Sequence, residues 1–310
     1  MGAHCGHHQG HQSHQGHHAH TSTDNPLGWR FAFSFGLNLL YVIVQIAAAL
    51  FAQSTSLLAD AGHNLGDVAG LGFSGFANRL LKASGRGQFT YGYKKLSLFS
   101  SLTNASIMIL TCTWVLVESV KHFFYAYPIH EPIVISVALI GVLINGGSAL
   151  LFAGKHRQDL NVRSTLIHLA GDAVISLGVA LTGGIIWLTH WYWLDPLVGI
   201  LIAGFIIQST LKILKTSFAL LLDASPEAIH PEAVQAFIEN TAGVSSVHDL
   251  HIWALSTQHT ALTAHLSVHI PLKARDALIK ALAEALKAQF QLHHITLQIE
   301  AENADCGQFC

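Results

Sequence analysis

The sequence predicts an all-α bundle of six membrane-spanning helices followed by a small water-facing α+β domain. Three observations point there. Only 11% of the 310 residues are charged and 51% are hydrophobic, against about 25% charged in an ordinary soluble domain. Six apolar segments each reach the about 20 residues that cross a bilayer. Beyond residue 222 the long apolar runs stop and shorter stretches of alternating character take over. The net charge of −2 with histidines neutral gives no reason to expect a nucleic acid partner.

The six segments run over roughly 28–52, 55–81, 96–125, 132–154, 163–190 and 196–222. Their flanks orient them. Arg30 precedes the first, and Arg79, Lys82, Arg86, Lys94 and Lys95 cluster between the second and third. Lys155, Arg157 and Arg163 separate the fourth from the fifth, and Lys212 and Lys215 end the sixth. On the other side Lys121 is the exception in loops almost free of Lys and Arg. The positive-inside rule then places both termini in the cytoplasm of a multi-pass inner (cell) membrane protein. The first 25 residues are polar and lack an apolar signal region, so the first helix is expected to act as its own membrane signal.

Residues 223–300 read as a cytoplasmic domain. Pro231 opens a helix over 231–242, alternation marks strands over 246–255 and 260–270, Lys273 to Phe290 is amphipathic, and 293–300 reads as a last strand. The order αββαβ suits a ferredoxin-like two-layer domain with helices on one face of a sheet. A C-terminal tail, 301–310, carries Cys306 and Cys310; Cys112 lies in an apolar run and reads as a core thiol.

The N-terminal tail, 1–25, is of low complexity. Eight of its first 20 residues are histidine, interrupted by Gly, Gln and Ser, with Cys5 beside His4. A purification tag is usually an unbroken run, so the tract reads as a disordered metal-capturing tail.

The chemistry concentrates inside the bundle. ADAGHNLGD in the second segment carries Asp60, His63 and Asp67, and HLAGD in the fifth carries His168 and Asp172. His and Asp four apart share one helix face, so two helices present the same pair. Ionisable groups at membrane depth cost about 2.5–3.5 kcal/mol each. Polar glue between helices would explain one pair; the repeat on a second helix argues for a site. Two imidazoles and two carboxylates form a set suited to tetrahedral Zn²⁺, and the carboxylates balance the ion's charge. Asp60 stays open between an outer supporting group, a proton acceptor and an interfacial residue. Small residues around both pairs, Gly62, Gly66 and Gly70 among them, let the backbones approach.

SLLADAGHNLGD, FTYGYKK, LNVRSTLIHLAGD, Asp195-Pro196 and VHDLHIW together resemble the cation diffusion facilitator family, specifically its zinc-exporting branch. The resemblance covers residues 26–310. It implies a homodimer in the lipid bilayer, a cytoplasmic metal-binding domain, and export of zinc in exchange for protons, without an enzymatic reaction. It implies a transport site of His63, Asp67, His168 and Asp172. In the cytoplasmic domain it implies zinc ligands His248, His265 and Glu300; His251, three from His248 on a strand, is expected on the opposite face. Cys306 and Cys310, with His4 and Cys5, resemble a terminal motif of vesicular members that completes such a site.

Departures are visible too. The loop after the second segment has Tyr93, Lys94 and Lys95 where some members carry histidines, Gln45 stands where a Glu is common, and the loop after the fourth segment is short and basic rather than His-rich. The physiological metal stays open among zinc, cadmium, cobalt, nickel and iron. A membrane metallohydrolase would need a general base such as the Glu of a His-Glu-x-x-His helix, which is absent from the sequence. A metal sensor without transport would leave the matched pairs inside the membrane unexplained.

Cys306 and Cys310 would remain thiols in a reducing cytoplasm, and zinc would draw them to thiolates. The tails are therefore expected to close on zinc through Cys306, Cys310 and His4 or Cys5. Alkylation of the thiols should slow when zinc is added; equal reactivity, with equal zinc stoichiometry in the Cys306→Ser/Cys310→Ser variant, would show that no such clasp forms.

Overall fold

The computed structural model describes residues 28–81, 85, 87–125, 127–152 and 160–300. The His-rich tail with His4 and Cys5, and the terminal Cys306 and Cys310, lie outside the described residues.

Six long helices come first: α1 (Gly28–Ala52), α2 (Thr55–Leu81), α3 (Leu96–Phe124), α4 (Glu131–Phe152), α5 (Leu160–Thr189) and α6 (Leu194–Leu221). Five of them, all but α2, are long and apolar enough to cross a membrane by composition alone. The sixth expected span, α2, is a 27-residue helix that carries Asp60, His63, Asn64 and Asp67. Its polarity is that of a helix surrounded by others: it packs on α1, α3 and α6. Leu57, Cys112, Val115, Val134, Val179 and Ile206 belong to one buried cluster between the helices. Cys112 is thus the core thiol its apolar run suggests. Large apolar side chains such as Leu40, Phe51, Leu110, Leu143, Leu188 and Phe205 point outward. On a soluble protein such a belt would be a liability; around a bundle of spanning helices it is the lipid-facing surface.

The start of α2 is held from a distance. α1 and α2 are joined by Gln53 and Ser54 alone, and Gln53 takes a left-handed conformation, φ 55°. Ser54 Oγ accepts from Leu57 N at 3.2 Å, as an N-cap serine does. Asp195, at the start of α6 and almost fully buried, supplies the rest. Its Oδ2 accepts from Thr55 N at 2.6 Å, Ser56 N at 3.4 Å and Thr55 Oγ1 at 3.0 Å. Its Oδ1 accepts from Ser54 Oγ at 2.6 Å and Ser56 Oγ at 2.5 Å. A carboxylate on the free N–H groups of a helix N-terminus also meets the positive end of the helix dipole. Gly199, one turn on in α6, allows the approach: a Cβ there would stand 2.7 Å from Ser119 Oγ and 3.0 Å from Thr55 Oγ1.

The remaining elements are α7 (Pro231–Glu239), β1 (Val244–Ala254), β2 (Thr260–Val268), α8 (Leu272–Phe290) and β3 (His294–Glu300). The order αββαβ is the one the sequence predicts. The first helix stops three residues short of the expected 242, because the chain turns through Gly243, φ 97°, into β1. The sheet has the order β1-β2-β3, with β1 antiparallel and β3 parallel to β2. Val234, Ile238, Leu262, Leu266, Leu282 and Leu286 form its core beneath α7 and α8.

The turn between β1 and β2 meets the segment between α2 and α3. Thr257 N donates to Ser97 Oγ at 3.1 Å, the His294 ring meets Tyr91 edge-on at 5.5 Å, and Lys95 Nζ lies 2.7 Å from Asp223 Oδ1. Both partners of that ion pair are exposed, so it contributes little. The rings of His259 and His293 lie 4.9 Å apart, tilted by 57°. Burial, then Lys94 and His293, hold His259 below the usual histidine range.

Asp195→Ala should remove a helix cap and leave buried donors without an acceptor, a loss of about 2–4 kcal/mol. Thermal unfolding of the purified protein in detergent should show a lowered midpoint; an unchanged midpoint would mean that α2 does not depend on this carboxylate.

Candidate functional site

α2 and α5 face each other with the two expected pairs. His63 Nε2 stands 2.9 Å from Asp172 Oδ1 and 3.8 Å from Asp67 Oδ2. His168 Nε2 stands 3.3 Å from Asp67 Oδ2 and 3.6 Å from Asp172 Oδ2. Each histidine therefore meets the carboxylate of the other helix as well as its own. The rings are 5.9 Å apart, edge to face. His63, His168 and Asp172 each offer a ligand atom, and these atoms all lie within 4.8 Å of one another; Asp67 stands against both histidines. Asp172 is nearly buried and His168 is about a third exposed. The cluster is deep on one side and open on the other.

Helical spacing makes this arrangement. Within α2 and within α5 the four-residue interval stacks His over Asp, and Gly66 between them leaves room for Met108 of α3, whose methyl a Cβ there would strike. The cluster also crosses a seam in the packing. α2 packs chiefly on α1, α3 and α6, whereas α5 packs chiefly on α4.

A second cluster lies on the sheet. His248 and His265 are paired directly across β1 and β2, and Glu300 ends β3 beside them. His248 Nε2 is 3.1 Å from Glu300 Oε2, and His265 Nδ1 is 2.9 Å from Glu300 Oε1. Their ligand atoms also lie within 4.8 Å of one another, so this trio too could hold a divalent ion.

His251 corrects the expectation from strand alternation. The register slips between His248 and His251, and Asp249 adopts φ 51°. His248 pairs with His265 and His251 with Thr263, two residues apart on β2 and so on one face. The bulge turns His251 to the side of the trio. Asp249 links them: Oδ1 is 2.8 Å from His251 Nε2, and Oδ2 is 3.5 Å from His265 Nε2. Counting by twos misses both residues, since a bulge adds one residue to one strand without a motif of its own.

Comparison with known proteins adds to this geometry. The family model of the cation efflux transmembrane domain matches residues 32–222, and that of the cation efflux protein cytoplasmic domain, ZT_dimer, matches 226–302. The chain is 30% identical over 278 residues to zinc transporter ZitB of Pectobacterium atrosepticum, covering 89% of this chain and 86% of the relative. It is 27% identical over 276 residues to the cadmium, cobalt and zinc/H(+)-K(+) antiporter of Bacillus subtilis, covering 87% and 88%. Among solved structures, the metal-bound C-terminal domain of the CzcD transporter from Cupriavidus metallidurans is 33% identical, covers 23% of this chain and 99% of that one, and has a TM-score of 0.22.

Glu300 meets both histidines of the sheet cluster, so its loss should matter more than that of an outer partner, which is worth about 10–100-fold in metal affinity. Cobalt titration of the full chain, followed by visible absorption, should show one class of sites weakened about 100-fold or more in Glu300→Ala. Identical titrations for parent and variant would remove Glu300 from any metal site.

Proposed function

The chain belongs to the cation efflux family, the cation diffusion facilitators its motifs resemble, and from that premise we propose that it exports zinc from the cytoplasm in exchange for protons. The observation that carries this reading is the quartet of His63, Asp67, His168 and Asp172 between α2 and α5. Two imidazole nitrogens and two carboxylates suit tetrahedral zinc. The two negative charges offset those of the ion, so the loaded site is close to neutral where a net charge would be costly. The relatives' names, a zinc transporter and a cadmium, cobalt and zinc/H(+)-K(+) antiporter, agree with the metal and with exchange against monovalent cations.

The seam in the packing supports a route. The ligands come in pairs from α2, in the group with α1, α3 and α6, and from α5, in the group with α4. Rocking one group against the other would open the quartet to one side of the membrane and then the other without unwinding either helix. Protons compete with the metal for the histidine lone pairs, so uptake of protons outside would favour release of zinc there. The reaction moves an ion and makes no covalent bond, so we assign no catalytic residue.

We place the protein in the inner (cell) membrane with both termini in the cytoplasm, on the Lys and Arg bias of its loops, and as a homodimer, which the match to the ZT_dimer domain supports. Residues 1–25 would then be a capturing tail, 26–222 the transport domain, 223–300 the cytoplasmic metal-binding domain and 301–310 a second tail. In the cytoplasmic domain His248, His265 and Glu300 would bind zinc, and the terminal Cys306, Cys310, His4 and Cys5 would add soft ligands. The names of the relatives also favour a second reading of specificity, in which cadmium and cobalt are carried as well.

Zinc flux into vesicles containing the purified protein tests the site. Asp172→Ala should abolish it, because the ion would be left with one compensating carboxylate; wild-type flux in that variant would sink the assignment. His63→Asp replaces a nitrogen ligand by a harder oxygen and should raise cadmium transport relative to zinc. An unchanged ratio would show that position 63 does not set selectivity.

A further inference from the structure

One buried carboxylate of α2 takes no part in the quartet. Asp60 is fully buried and lies one helical turn before His63. Its Oδ2 accepts hydrogen bonds from Gln45 Nε2 of α1 at 2.8 Å and from Ser176 Oγ of α5 at 2.9 Å. Gln45, equally buried, accepts on Oε1 from Asn64 Nδ2 at 3.0 Å. That bond fixes which end of the Gln45 amide faces Asp60. α4 borders the same cluster through Gly141, where a Cβ would strike Tyr41 Oη and stand 2.9 Å from Ser176 Oγ. Three helices thus meet at one carboxylate, and α4 packs against two of the side chains around it.

Its other oxygen is left over. Asp60 Oδ1 is buried and has no hydrogen-bond partner among the described residues. No fixed cation is at hand: residues 31–78, 132–154 and 164–211 contain no Lys or Arg. The titratable groups that act on Asp60 electrostatically are Tyr41 of α1, His63 of α2 and Asp172 of α5; α4 faces the cluster with a glycine. His63 is already engaged with Asp172 and, once a divalent ion is bound, serves as a neutral ligand. An ionised carboxylate in this setting carries an uncompensated charge, which a low-dielectric interior does not tolerate.

We propose that Asp60, its Oδ2 fixed by the donors Gln45 and Ser176, holds one monovalent cation, a proton or an alkali ion, on Oδ1 beside the divalent-cation site. The proposal rests on the export reading for its purpose and on the Asp60 cluster for its chemistry. The atom offered to the ion is the unpartnered anionic oxygen, Asp60 Oδ1, which suits a small hard cation and not a soft metal. Side chains one turn apart on a helix stand about 5–6 Å apart at Cβ, so a cation on Asp60 and a divalent ion on His63 repel strongly at low dielectric. Loading one site empties the other, and that is the coupling an exchanger needs.

The test compares wild type, Asp60→Asn and Ser176→Ala in vesicles. One arm imposes a pH step at fixed potassium and the other a potassium step at fixed pH. Wild-type zinc flux should accelerate in the proton arm or in the potassium arm, which identifies the cation. Asp60→Asn should lose tenfold or more of that acceleration while still exchanging zinc for zinc, a process that a collapsed bundle would lose. Ser176→Ala keeps the carboxylate and removes one donor, so the cation concentration for half-maximal acceleration should shift about tenfold, as expected for a hydrogen bond to a charged group. Acceleration equal to wild type in Asp60→Asn, or no shift in Ser176→Ala should Asp60→Asn fail to fold, overturns the proposal. If wild type carries no zinc at all, the export reading fails, and infrared difference spectra on adding acid or potassium decide the site separately. A carboxyl band that responds in wild type and is missing in Asp60→Asn supports it, and identical spectra overturn it.

Discussion

A carboxylate in hydrocarbon costs about 2.5–3.5 kcal/mol even on insertion scales, and four of them, Asp60, Asp67, Asp172 and Asp195, lie within the helical bundle. Much of the architecture follows from compensating these charges. Asp195 receives five donors from the start of α2. Asp67 and Asp172 face two imidazoles that bridge between helices. Asp60 is compensated on one oxygen only. The least completed carboxylates lie where ions are expected to come and go, and the most completed one fixes the helix that carries Asp60, His63 and Asp67. Stability and transport thus draw on the same residue type in different states of satisfaction.

Much of this was legible in the sequence. The six helices, their order and the αββαβ domain follow from apolar run length and alternation, and the quartet follows from a four-residue spacing repeated on two helices. What stayed hidden involves partners distant in sequence or local irregularity. Asp195 could be read as the entry to a helix, but not as the cap of another helix about 140 residues earlier. Asp60 could be seen on the face of His63, but its links to Gln45 and Ser176 depend on how α1, α2 and α5 are rotated. His251 was assigned to the wrong face because one left-handed residue at Asp249 breaks the alternation. α2 differs from the other five helices in composition because it carries Asp60, His63, Asn64 and Asp67, the residues that α2 brings to the cluster and its surroundings.

The two regions meet at the segment that links α2 to α3 and at the first turn of α3. Tyr91 and Ser97 touch β3 and the β1–β2 turn respectively, and Lys94 acts on His259. A shift of α2 would pull directly on this contact. The sheet cluster and the His63–Asp67 pair of α2 are therefore mechanically closer than their separation in sequence suggests.

The two-residue joint between α1 and α2 has a consequence for how the protein is made. A translocon samples helices as they emerge, and α2 alone, with two aspartates, a histidine and two asparagines along its length, is a poor candidate for lateral release into lipid. Its predecessor is strongly apolar, and Gln53 and Ser54 leave no slack for α2 to lag behind it. Entry of the first two helices as a hairpin would let Gln45 meet Asp60, as it does in the folded bundle, before that carboxylate faces lipid. The apolarity of α1 thus serves biosynthesis as well as packing, because it carries into the bilayer a neighbour that would not enter unaided.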